Sequence, residues 1–218
     1  ITLGLGPGAG PSTPVDVQTQ AICMPNYVGA VMLNKEGKRF VNESLSYNDI
    51  GTAALSQPEA LIIQIADEPI AKASPYMAKS RPQKADSLEQ LAVLVGIQPQ
   101  VLVDEINKYN RYVEAGKDPE FGRSTLVGIS KKPLPIKTPP FYGFITKTAI
   151  LSTKGGITVD AGCHVVNVFG EAIKGLYAAG EIIGGVHGAG YHTGSALGKA
   201  IVFGRIAGKN AVAEKPVS

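Results

Sequence analysis

The chain has 218 residues, 44% of them hydrophobic, and a formal net charge of +3. That length holds one large or two small domains around a real core. The charge is spread along the chain without a basic stripe, which argues against a nucleic-acid reader, and no apolar run approaches the roughly 18 residues needed to span a membrane.

Cys23 and Cys163 lack metal-type spacing and read as reduced structural thiols. No histidine–acid cluster suggests a metal site. The chain opens on ITLGLG without an initiator Met, which reads as a fragment or a processed chain. Residues 1–14 contain GLGPGAGPSTP, where Gly4, Gly6 and Ala9 fit a G-x-G-x-x-G/A pattern. Pro7 and Pro11 break any following helix and the βαβ context is missing, so residues 1–14 are expected to be a linker or the end of a preceding domain segment.

Residues 28–42 predict a hairpin, with strands at 28–33 and 38–41 and Gly37 closing the turn. Residues 60–66 (ALIIQIA) read as a buried strand that ends at Asp67-Glu68-Pro69. Asp86 as N-cap, with Glu89 three positions on, predicts a helix that Gly96 closes. A second helix follows over about 100–115, with Leu102, Ile106, Tyr109 and Val113 on one face and Gly116 just past its end. That face is core and carries no chemistry. Residues 117–142 are loop-rich, because Pro133, Pro135, Pro139 and Pro140 prevent helix. A strand is expected at 144–151, then a β-ribbon of 155–160 and 163–168 around Asp160-Ala161-Gly162.

The stretch 175–208 organises the rest. It predicts a buried strand at 176–179, a glycine-rich loop, and a helix for which Ser195 is the N-cap. Gly184, Gly185, Gly188, Gly190 and Gly194 are too many for ordinary turns, and glycines at this density let a backbone press against a flat or charged ligand. Ala196, Ala200, Gly204 and Gly208 form a small-residue stripe that allows close docking of the helix.

GLYAAGE, GGVHGAGY and FGRIAG resemble the C-terminal flavin segment of the FAD-dependent fumarate reductase family, which includes urocanate reductases, L-aspartate oxidases and 3-ketosteroid Δ1-dehydrogenases. The resemblance extends upstream through TKGGITVD, KYNRYVEAGKDPEFGR and KEGKRFVNE, and so covers most of the chain from about residue 28. It implies an α+β capping domain over residues 15–150 and the C-terminal part of a split α/β, Rossmann-like FAD-binding domain over 151–218, with residues 1–14 a linker or the end of an FAD-domain segment. It also implies FAD as cofactor. The N-terminal FAD-binding half is absent from this sequence and is expected on a second chain or in a missing segment.

The resemblance assigns Gly180, Glu181, Gly194, Ser195, Ala196 and Leu197 to the cofactor, and Ser152, Gly155 and His187 to the substrate. Glu181 matches an acid that accepts a hydrogen bond from a flavin-chain hydroxyl; it could equally be a solvated loop carboxylate. The N–H groups that open the last helix suit negative charge on the reduced flavin. His187 could instead be a structural hydrogen-bonder. In the fumarate-reducing branch, the positions matching Tyr47, Tyr191 and Ser152 are an arginine, an arginine and a histidine. Losing such partners costs about 1.5–3 kcal/mol per charge-assisted bond, which argues against fumarate.

Tyrosines at 47 and 191 resemble the ketosteroid branch, with Tyr47 as proton carrier and Tyr191 as donor to a carbonyl oxygen. Each alone could be an amphipathic packing residue. The expected function is therefore an FAD-dependent oxidoreductase acting on a C–C bond beside a carbonyl, with an unknown electron partner. An enoate reductase of fumarate or urocanate reductase type is one alternative, and a non-catalytic fragment is another.

Overall fold

The computed structural model describes residues 2–7, 25–74, 82–126, 131–188 and 194–215, with side chains of residues 2–7 and 148–152 left aside. Cys23, Gly190, Tyr191 and residues 8–14 of the expected linker lie outside the described residues. The chain forms two compact units: Leu3–Ala149, and Ile150–Ser218 together with Ile1–Thr2.

The larger unit is organised by strand β3 (Leu61–Ala66), in which all six residues are buried. Strand β2 (Val31–Leu33) runs antiparallel along one edge of it, with Val31 opposite Ile65. Strand β5 (Phe141–Ser152) runs antiparallel along the other, with Ile63 opposite Ile145. The short β4 (Gln83–Ala85) also pairs with β5. Strand β1 (Thr2–Pro7) completes the order β1-β5-β3-β2. Residues 2–7 of the 1–14 stretch are thus a strand. A proline is tolerated at the end of an edge strand because no ladder bond is lost there.

The complete burial of β3, Gln64 included, has a simple cause: helices cover both faces of the sheet. Successive side chains alternate between faces. Ile63 and Ile65 pack with Leu91, Val95, Leu102, Ile106 and Tyr109, whereas Ile62 packs with Met32, Ile50 and Ala54. Helix α1 (Tyr47–Leu55) covers the second face and is capped by Ser46, whose side chain accepts from the Asp49 amide. Helix α2 (Glu68–Ala73) follows β3 and is capped by Asp67.

Helices α3 (Leu88–Val95) and α4 (Pro99–Ala115) supply the first face. The cap of α3 is Ser87 rather than Asp86, because the Ser87 hydroxyl accepts the Gln90 amide at 3.2 Å. Gly96 and Gly116 end the two helices in the left-handed conformation, as the sequence predicts. Gly143 in β5 lets α3 press onto the sheet; a Cβ there would stand 2.4 Å from Val95 Cγ1. The hairpin turn closes at Gly37, but its expected return strand is reduced to one bridge, Leu33 to Arg39. The chain leaves the sheet there because Arg39 enters a buried ion network.

In that network Glu43 is fully buried and accepts Arg39 Nε at 2.8 Å, Arg39 Nη2 at 2.9 Å and the Met32 amide at 3.3 Å. Arg39 Nη2 also donates to Asp118 at 2.8 Å, and the Arg39 guanidinium lies 5.0 Å from the ring centres of both Tyr109 and Phe121. Arg123 stands 3.5 Å from Glu43 and donates to the carbonyls of Asn26 and Ala30 and to Ser44 Oγ. Burial alone would raise the Asp118 carboxyl, but the hydrogen bond and charge of Arg39 outweigh it and hold the group below its usual range.

The smaller unit is a β-ribbon and a helix. Strands β6 (His164–Val166) and β7 (Ala172–Tyr177) pair antiparallel. The expected pairing of 155–160 with 163–168 is limited to the Val159–Val165 bridge and its flanking bonds. Strand β7 is exposed over most of its length, not buried. Helix α5 (Ser195–Ala213) turns Lys199 and Ala207 inward. The expected small-residue stripe is not its packed face here: a Cβ at Gly204 or Gly208 would meet nothing within 4 Å. Buried Cys163 donates its thiol to the Phe203 carbonyl.

Two outcomes are expected. Glu43→Ala leaves two guanidinium groups buried without their carboxylate and lowers unfolding free energy by about 3–5 kcal/mol in urea titrations. The depressed Asp118 carboxyl contributes stability present above the ordinary value of 3.8 and lost as pH falls through its lower folded value. Denaturation midpoints of Asp118→Asn therefore fall less than those of the parent between neutral pH and pH values well below 3.8.

Candidate functional site

In the smaller unit two glycine segments are laced together by backbone. Ile157 donates its N–H to the Ile182 carbonyl at 2.8 Å, and Gly184 donates to the Ile157 carbonyl at 3.0 Å. The approach is so close that a Cβ on Gly156 would stand 2.1 Å from Ile182 O. Around this lacing lies an open recess of about 470 Å³, lined by Gly155, Gly156, Asp160, Gly184, Gly185 and Phe203 among others.

Glu181 sits in the turn Gly180–Ile182 that follows β7, with Gly180 at φ 78°. Its Oε1 accepts the Thr153 N–H at 2.8 Å, which ties the 180–182 turn to the segment after β5. Glu181 is exposed, so its carboxylate retains acceptor capacity beyond that bond. Gly155 is exposed as well, and a Cβ there would meet nothing within 4 Å. Neither packing nor a left-handed backbone accounts for a glycine at 155.

Helix α5 begins at Ser195, and its cap is Gly194 in the left-handed conformation at φ 89°. The expectation that Ser195 is the N-cap is therefore corrected by one position. A glycine takes the positive φ at lower cost, and Ser195 becomes the first helical residue. Its hydroxyl lies 3.1 Å from His187 Nδ1, so the loop histidine and the helix start are brought together. Ala196 and Leu197 complete the first turn, where helical N–H groups have no partner within the helix.

Of the residues singled out in the sequence, Gly155, Gly180, Glu181, His187, Gly194, Ser195, Ala196 and Leu197 all fall in this unit. Ser152 ends β5, and its side chain is not described. Tyr47 opens α1 in the larger unit and is half-buried. Tyr191 lies outside the described residues.

Sequence reasoning missed Thr153 and Lys199. Thr153 contributes a backbone N–H, which no side-chain pattern announces. Lys199 is a lone cation in the apolar run of α5, four residues after Ser195, and that position could have flagged it. No group of three or more potential metal ligands occurs among the described residues. No described helix is long and apolar enough to cross a membrane.

A sequence profile described as "FAD binding domain" matches residues 19–197. The chain belongs to that FAD-binding-domain family, and the membership implies FAD. It is 37% identical over 188 residues to a probable fumarate reductase of Shewanella frigidimarina, covering 84% of this chain and 31% of the relative. It is also 37% identical over 190 residues to the NADH:acrylate oxidoreductase of Vibrio harveyi, covering 83% of this chain and 18% of that protein. A flavocytochrome c3 fumarate reductase in its open conformation superposes with a TM-score of 0.75 at 33% identity, over 97% of this chain and 36% of the other. The chain thus spans about a third or less of these relatives' length.

The residues present fit part of FAD. The glycine-lined recess admits a flat ring, the α5 N-terminus suits an electron-rich edge, and Glu181 can accept from a hydroxyl. Two glycine variants separate fold from ligand approach. Gly156→Ala collides with backbone and lowers stability by about 1–3 kcal/mol. Gly155→Ala leaves stability within about 0.5 kcal/mol, yet it weakens FAD binding by the whole protein, as read by a fluorescence titration.

Proposed function

We propose that this chain is the capping domain and the C-terminal part of the FAD domain of a reductase of carbon–carbon double bonds conjugated to a carboxylate. Residues 15–150 form the cap and 151–218 the flavin part in this reading. The observation that carries it is the 37% identity, across both units, to a probable fumarate reductase and to an NADH:acrylate oxidoreductase. Fumarate itself fits less well. Tyr47, Tyr191 and Ser152 stand where the resembling dicarboxylate branch has two arginines and a histidine. A substrate with one carboxylate, of the acrylate or urocanate kind, asks for fewer cationic partners, and those can come from sequence outside this chain.

FAD, when bound, supplies hydride exchange with the substrate carbon. Glu181 binds a hydroxyl of the cofactor and, through Thr153, orients the glycine segment that adjoins Gly155. The α5 N-terminus, with Ser195, Ala196 and Leu197, favours negative charge at its end. His187 is held by Ser195 and orients the loop toward the substrate. Tyr47 carries the proton at its phenol oxygen, and Tyr191 donates to the substrate carbonyl oxygen.

Two further features support a partner half outside this sequence. Gly204 and Gly208 each cost a helix interior about 1 kcal/mol relative to alanine, and a Cβ at either would meet nothing within 4 Å among the described residues. Leu197, Ile201 and Val212 on the same helix are 68%, 63% and 89% exposed. Helix α5 is thus shaped for close packing against chain that this sequence does not contain.

The tyrosine pair favours a second reading, in which the activating group is a ketone and the enzyme is ketosteroid dehydrogenase-like. Steady-state assays of the whole FAD-loaded protein, with a reduced dye as electron donor, separate the two. Turnover of acrylate or urocanate above that of fumarate and cyclic enones is expected. Turnover of cyclic enones alone would reject the carboxylate reading. Tyr47→Phe is expected to lower kcat by about 100-fold or more, and an unchanged kcat would remove Tyr47 from the chemistry.

A further inference from the structure

Lys199 has no part in the function set out above, yet its surroundings ask for one. It lies on the inward face of α5 and is only 4% exposed. Its Nζ donates to the Ile183 carbonyl at 2.7 Å, and no carboxylate of the described residues lies within ion-pair distance of it. A buried ammonium without an anionic partner is costly, so such groups are ordinarily paired.

The carbonyl it holds is well placed. Ile183 and Gly184 both line the glycine recess, and Gly184 is the residue laced to Ile157. The Lys199 charge therefore sits directly behind the wall of the recess, one turn of helix beyond the Ser195 N-terminus. The α5 helix end and this ammonium add positive potential on one side of the same loop.

We infer that Lys199 is a positioning and electrostatic residue of the flavin site: it fixes the Ile183–Gly185 backbone and lends positive charge that favours the reduced, negatively charged cofactor. The inference rests on the reading of this unit as part of an FAD site. Uptake of two electrons and one proton leaves the ring system with one more negative charge. The electrons come from the enzyme's donor or, in the test, from dithionite. A fixed cation at Lys199 would favour that product over the neutral oxidised form in a medium of low effective dielectric.

The test is a reductive titration of the whole FAD-loaded protein with dithionite against a reference dye, for the parent, Lys199→Met, Lys199→Gln and Lys199→Arg. Loss of charge in Lys199→Met and Lys199→Gln is expected to lower the reduced-to-oxidised ratio at fixed potential about tenfold, or about 30 mV for a two-electron couple. Lys199→Arg is expected to stay within about threefold of the parent. A purely structural strut would not move the potential, so equal ratios in parent and both uncharged variants overturn the inference. Equal falls in all three variants also overturn it, because packing rather than charge would then be responsible. If Lys199→Met does not fold, Lys199→Gln carries the comparison. A parent protein that holds no flavin at all overturns the proposed function itself, a result distinct from equal potentials.

Discussion

The larger unit depends on one buried carboxylate. Glu43 compensates Arg39 and approaches Arg123, and the two arginines in turn hold Asp118, Ser44 and the backbone of Asn26 and Ala30. The segments that meet here are far apart in sequence, with Arg123 lying 97 positions from Asn26. Among the described residues, this network ties the loop after α4 to the entry into β2. The network also fixes residues 39–44, and α1 with Tyr47 begins just beyond. The start of α1, where Tyr47 lies, is thus anchored by a site of structural chemistry.

The smaller unit follows a different logic. Its backbone is laced tightly between Ile157 and Ile183, while much of its apolar surface stays exposed. Gly204 and Gly208 in α5 face open space, and β7 is exposed over most of its length. Local rigidity and an uncovered exterior are compatible. The bonds that shape the recess are short-range and backbone-to-backbone, so they need no surrounding core.

The sequence made much of this legible, for identifiable reasons. Period and punctuation located β3, α3 and α4, since Asp67, Gly96 and Gly116 act through local chemistry that needs no tertiary context. The motif stretches RFVNE and DPEFGR were visible as resemblance, but their physical content, a buried ion network, was not. Charged residues read as surface unless their partners are known. Glycine density pointed to the recess. The cap of α5 was misplaced by one residue because a serine beside a glycine leaves two acceptable caps, and backbone conformation decides between them. Strand β7 was expected to be buried because apolar composition predicts burial without saying which chain provides the cover. Lys199 escaped notice because one lysine in a helix is ordinarily a solvated one.

The central claim is that the glycine recess and the α5 N-terminus form part of an FAD site that reduces conjugated double bonds. The most direct measurement is the near-ultraviolet and visible absorbance spectrum of the whole native protein, taken as isolated, after anaerobic dithionite, and after addition of an unsaturated monocarboxylic acid. The account predicts oxidised-flavin bands that bleach on reduction and return when the acid is added. A protein that is colourless as isolated, and remains so after FAD is added and excess cofactor removed, would contradict it.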